Sequence, residues 1–189
     1  MIYELSKRTI EYIASLSDQP SDQDQLDVYI YGMECFLNTA IPVVLLTIWS
    51  IMFDSLIETF LWLFAFSLLR EYTGGYHAST QFACITSSTM LGIGNTLVSQ
   101  NLELSNVYIA LCYFLCIIVV LLCCPIPSHK KTFDPIQRKQ YKIRALGIIL
   151  FFLFLSMILP TSYSVTLTYS CLSCILLAII ELFSRKFFI

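Results

Sequence analysis

The sequence predicts an all-α integral membrane protein with about six transmembrane helices, an N-terminal amphipathic interfacial helix and both termini in the cytoplasm. Three observations lead there. Of 189 residues, 57% are hydrophobic and 13% charged, against about a quarter charged in a soluble domain. Mean hydropathy is +0.75, so most of the surface need not meet water. Apolar windows recur at lengths near the roughly 20 residues that a helix needs to cross a bilayer, and Lys and Arg are confined to alternate connections.

Residues 1–17 place Ile2, Leu5, Thr9, Ile13 and Leu16 on one helical face, with Glu4, Lys7, Arg8 and Glu11 largely away from it. This pattern reads as an amphipathic helix lying on the membrane, and the alternative is an ordinary helix packed on the rest of the protein. The following stretch, SDQPSDQDQLD, is acidic and polar and contains Pro20, so a linker is expected rather than helix. Residues 1–27 show neither the apolar core nor the small-residue cleavage pattern of a secretory signal peptide. Length suggests one domain. Residues 28–189 form its multi-span membrane part, with a candidate catalytic segment at 70–84 and a basic cytoplasmic loop at 125–144.

Cys35 to Phe53 is the first apolar window. Glu34 and Asn38 lie one turn apart at its start, so their shared polar face should look into protein rather than lipid. Leu56 to Leu69 is shorter and interrupted by Glu58, and Phe82 to Ser99 is softened by Ser, Thr and Gly. These two are marginal as spans. Val107 to Cys124, Ala145 to Leu159 and Val165 to Phe183 are strongly apolar.

Lys7 and Arg8 precede the first window, Arg70 follows the second, and Arg185 and Lys186 follow the last. Lys130, Lys131, Arg138, Lys139, Lys142 and Arg144 lie between the fourth and fifth windows. The other three connections contain no Lys or Arg. An even number of spans with both termini inside satisfies the positive-inside rule at every connection. The segment from Arg70 to His77 then lies at the cytoplasmic face.

The basic loop can be a topology determinant alone, or a docking site for an acidic ligand or anionic lipid. Most of the eight cysteines sit in apolar windows, where thiols behave as small apolar groups. No Walker loop, Rossmann glycine pattern or zinc-binding set occurs. No cofactor, metal or nucleic acid is expected.

Leu68 to Ser88, LLREYTGGYHASTQFACITSS, is different. A nucleophilic cysteine needs a base to take its proton, and His77 precedes Cys84 by seven residues. In an unbroken helix the two would be about 10 Å apart along the axis, too far for a proton transfer that needs about 3 Å. Gly74 and Gly75 break helix readily, so Arg70 to Ser79 is expected to bend and return the imidazole to the sulfur. On chemistry alone a histidine in such a loop is more often structural.

The ordered cluster REYTGGYHASTQFAC, Arg70 to Cys84, resembles the signature of the accessory gene regulator B family of membrane endopeptidases. The resemblance extends to chain size, to Glu34 entering the first span and to the basic loop. It implies a bacterial cell-membrane enzyme, active at the cytoplasmic side, that removes the acidic C-terminal tail of a quorum-sensing propeptide. The same enzyme then promotes closure of a thiolactone or lactone ring. It implies Cys84 as nucleophile and His77 as general base, with Arg70, Gly75 and Glu34 as supporting residues. Its partners would be that propeptide, the lipid bilayer and a second copy in a homodimer. The basic loop then gains a use, with Lys130, Lys131, Arg138 and Lys139 steering the acidic tail.

Arg70 has other readings: a grip on substrate, a pair with Glu34 or Glu71, or an anchor that snorkels at the end of its span. Two further functions compete with the peptidase. A non-enzymatic multi-span protein, such as a transporter subunit or scaffold, explains the spans, Glu34 and the loop, but not the convergence of Gly-Gly, His and Cys. A membrane acyltransferase using His77 alone predicts that Cys84 is dispensable.

Overall fold

Apolar residues at helical spacing, separated by polar, glycine and proline breaks, give seven helices among the described residues. The structure, a computed structural model, describes residues 2–16, 22–75, 80–126 and 134–187, with side chains described as far as Ser184. In chain order the helices are α1 (Ile2–Ser15), α2 (Gln23–Met52), α3 (Leu56–Thr73), α4 (Gln81–Asn101), α5 (Asn106–Cys123), α6 (Pro135–Ile158) and α7 (Thr161–Phe187). No strand occurs among the described residues.

Four helices, α2, α5, α6 and α7, are long and apolar enough to cross a membrane. α3 and α4 are not among them. Glu58, Arg70 and Glu71 dilute α3, and Ser, Thr, Asn and Gln dilute α4. They correspond to the two windows that the sequence marks as marginal.

Two boundaries depart from expectation. α2 begins at Gln23, so residues 23–27 are helical rather than linker. Pro20 forbids helix only where its ring meets the preceding turn. Past it, the Gln25 and Leu26 amides both bond Asp22 O at 3.0 Å. α6 begins at Pro135, inside the stretch expected as the basic loop, because at the first helical position the missing proline N–H costs no bond. Between α2 and α3 the chain turns at Asp54 (φ 47°), a left-handed conformation that Asp tolerates. The Ser55 amide closes that turn on Ser50 O at 2.9 Å.

The described residues within 46–77 and 90–189 form one compact unit. Its core is built from helix faces at three- and four-residue spacing. α3 contributes Trp62, Ala65, Phe66 and Leu69, and α7 contributes Leu167, Cys171, Cys174 and Ala178. Ile109, Tyr113, Cys116 and Val120 of α5 and Ala145, Ile149 and Phe152 of α6 pack into it, as do Leu46, Cys124, Ile126 and Ile175. The Trp62 and Phe66 rings stack at 4.9 Å. The opposite faces leave Phe114, Phe154 and Leu122 exposed, the last at 75%, an outer surface suited to lipid.

Several polar groups inside this unit pair with one another, which lowers the cost of holding them in a low-dielectric interior. Tyr113 Oη and Ser156 Oγ are 2.9 Å apart. Ser164 donates to Ser156 O at 2.8 Å. Ser162 donates to Glu58 Oε1 at 2.8 Å, which satisfies the carboxylate that interrupts the second apolar window.

The described residues within 1–45 and 78–89 form a second unit. α1 packs through Ser6, which is fully buried, while Leu5, Tyr12, Ile13 and Leu16 remain exposed. The apolar face expected from the sequence is therefore split. Ile2 and Thr9 are half-buried, and the rest is exposed. Ile10 of α1 lines an open apolar groove with Val28, Tyr29 and Phe36 of α2.

Candidate functional site

The residues singled out by the sequence fall in both units, and each group has its own geometry. In the larger unit they sit at the end of α3. The Gly74 amide still bonds Arg70 O at 3.0 Å, so the helix holds through Thr73 and the bend begins at Gly74 rather than Arg70. Gly74 and Gly75 then take φ of 72° and 140°, a region that side chains rarely enter. The Ile126 amide donates to Thr73 O at 3.1 Å. A Cβ on Gly74 would come to 2.6 Å from Ile126 O, so this backbone approach requires glycine as much as the φ does.

Arg70 is half-buried in the last turn of α3. Its guanidinium carbon lies 5.6 Å from the centre of the Phe66 ring, within range of a cation–π contact. A Cβ on Gly75 would lie 3.2 Å from Arg70 Nη1 and 3.5 Å from the α7 backbone at Leu177 and Ala178. Glu71, one residue on, is exposed.

In the smaller unit Cys84 sits in the first turn of α4, half-buried. Its amide bonds Thr80 O at 3.1 Å, and its carbonyl accepts the Ser87 hydroxyl at 3.0 Å. Thr80 caps the helix, its Oγ1 accepting the Ala83 amide at 3.2 Å. Gln81 donates its side-chain amide to Glu34 Oε1 at 2.7 Å. Glu34 and Asn38 are both half-buried on α2, so their polar face does look into protein.

His77, Lys130 and Lys131 lie outside the described residues. Arg138 and Lys139 are exposed at the start of α6. The other two cations of that helix have structural contacts. Lys142 donates to Leu121 O at 2.6 Å, satisfying a carbonyl in the last turn of α5. Arg144 lies 5.8 Å from the centre of the Tyr72 ring.

Cys116, Cys124, Cys171 and Cys174 are buried free thiols. Cys174 donates to Phe66 O at 3.4 Å. Half-buried at a helix start, Cys84 differs from these four in exposure.

The family profile of accessory gene regulator B matches residues 6–184. The chain belongs to that family. Relatives include a "Putative AgrB-like protein" of Clostridium perfringens (strain SM101 / Type A), 31% identical over 93 residues, which are 49% of this chain and 41% of the relative. "Protein FsrB" of Enterococcus faecalis (strain ATCC 47077 / OG1RF) is 30% identical over 136 residues, 68% of this chain and 53% of the relative. The chain thus spans about half the length of the curated relatives it matches. No solved structure matches. The accessory gene regulator B match takes in Glu34, the whole Arg70 to Cys84 cluster and the start of α6.

Two contacts around these residues are not evident in the sequence of this family member. Gln81 is one of several polar residues near the start of α4, and only the pairing of α2 with α4 shows that it meets Glu34. Ile126 is an ordinary apolar residue whose backbone happens to require Gly74. A glutamine opening an apolar helix three residues before Cys84 was the one available signal.

Proposed function

We propose that this accessory gene regulator B family member is a membrane-embedded cysteine endopeptidase of the bacterial cell membrane. It cuts the acidic C-terminal tail from a quorum-sensing propeptide at the cytoplasmic side and closes the remaining peptide into a thiolactone or lactone. The observation that carries this reading is the position of Cys84. It is a half-buried thiol in the first turn of an apolar helix, within a family match that includes the Arg70 to Cys84 cluster.

His77 takes the Cys84 proton, and the sulfur attacks the scissile carbonyl. As the tetrahedral intermediate collapses, the carbon–nitrogen bond breaks and the tail amine leaves with the proton from His77. The peptide is now a thioester on Cys84. A thiol of the substrate then attacks that carbonyl, its proton passes to His77, and Cys84 departs as thiolate. One thioester replaces another, so no ATP is consumed. Apolar surroundings keep out the water that would give a linear product. Backbone amides at the first turn of α4 supply oxyanion donors.

The tail is acidic, and Arg138 and Lys139 are exposed at the start of α6. With Lys130 and Lys131 they attract it before chemistry begins. The test is co-expression of a Cys84→Ser variant with the propeptide. Processing should vanish while membrane insertion and abundance persist. Processing that survives the change would refute the peptidase reading.

A further inference from the structure

The turn that carries Cys84 is poorly held by packing. Thr80, Phe82 and Ala83 are all exposed, Phe82 at 79%, and first helical turns fray because their amides lack partners inside the helix. Its local ties are the Thr80 cap on the Ala83 amide at 3.2 Å, the Cys84 amide on Thr80 O at 3.1 Å and the Ser87 hydroxyl on the Cys84 carbonyl at 3.0 Å. A further tie is tertiary, the 2.7 Å bond from Gln81 Nε2 to Glu34 Oε1. Gln81 and Cys84 are three residues apart, hence on one helix face. A bond that fixes Gln81 against α2 therefore sets the rotation and depth of the thiol.

We propose that Gln81 is a positioning residue for Cys84, acting through Glu34, whose part in the site is to receive this bond. The proposal rests on the reading of Cys84 as nucleophile and adds to it a clamp between α2 and α4. A neutral amide suits the role. It donates to the carboxylate without cancelling its charge, and a charge-assisted bond at the edge of a low-dielectric region is stronger than a neutral one. Lysine there would pair as a mobile point charge, and leucine would leave the carboxylate without its donor.

The experiment uses the full chain in detergent or nanodiscs, with Gln81→Leu, Glu34→Gln and the exchanged pair Glu34→Gln/Gln81→Glu. The exchanged pair keeps one amide and one carboxylate at the same two positions. Two readouts are followed: deuterium uptake by the peptide containing Gln81 to Ser88, and processing of a synthetic propeptide with an acidic C-terminal tail. Gln81→Leu should speed uptake in the first turn of α4 and lower kcat, each by about tenfold or more, with KM within about twofold. The exchanged pair should recover both to within about threefold of the parent.

Unchanged uptake in Gln81→Leu would overturn the clamp. So would an unchanged kcat, or an exchanged pair no better than the single variants. A Cys84→Ala control separates the two ideas. If it still processes propeptide, the peptidase reading falls, while the uptake arm still decides whether Gln81 holds the turn.

Discussion

Arg70 Nη1 lies 3.2 Å from the point where a side chain on Gly75 would begin. The guanidinium occupies room that only glycine leaves, and Gly75 at φ 140° has a backbone that only glycine adopts at ease. Two residues of the cluster are thus coupled by shape. The far end of an arginine can move, so a methyl group at Gly75 would displace the guanidinium before it broke the fold.

The two glycines should therefore fail differently. Gly74→Ala drives a Cβ to 2.6 Å from Ile126 O, and that backbone cannot easily yield. It should lower thermal stability, with conformational strain alone worth about 1–3 kcal/mol. Gly75→Ala should keep more of its stability but lose processing as Arg70 shifts. Thermal unfolding in detergent, measured beside propeptide cleavage, checks both. Equal loss of stability in the two variants would contradict the distinction.

Arg70→Lys separates a membrane anchor from a shaped contact. Lysine can snorkel as well as arginine, but it lacks the planar group that lies over Phe66. The variant should insert and accumulate normally yet process propeptide at least about tenfold more slowly. Normal cleavage would return Arg70 to the role of an anchor.

Neutralising Lys130, Lys131, Arg138 and Lys139 to Gln should raise KM for an acidic-tailed propeptide about tenfold and leave kcat unchanged. The parent protein should lose capture efficiency as salt rises, and the variant should respond much less. A KM equal to that of the parent at low salt would remove the steering role and leave these residues as topology determinants.

Ser162→Ala tests the polar interior of the larger unit. It removes the hydroxyl that donates to Glu58 Oε1 at 2.8 Å and should cost about 1–3 kcal/mol. A lower unfolding midpoint with catalysis intact in the surviving protein is the expected result. An unchanged midpoint would mean that solvent reaches Glu58.

Much of the helical organisation was legible in the sequence because each helix carries its own apolar periodicity. α5 starts and ends within one residue of the apolar window. The start of α2 was not legible, since a solvated run of Gln and Asp looks the same in a helix or a linker. The glycine pair announced a break but not its first residue, which depends on whether the Gly74 amide still reaches Arg70 O. At the site, Cys84, Arg70 and Gly75 stood out through the ordered cluster and its resemblance to the family, not through residue type alone. Contacts between helices, such as Gln81 with Glu34 and Ile126 with Thr73, depend on tertiary register and cannot be read from one strand of sequence.

The central claim is that Cys84 carries the peptide as a thioester. Intact-protein mass spectrometry of the purified chain, quenched during turnover with its propeptide, tests that most directly. The predicted result is an adduct with the mass of the tail-less peptide, localised to Cys84 and released by hydroxylamine. Full processing with no adduct at any time point, matched by an active Cys84→Ala variant, would contradict it.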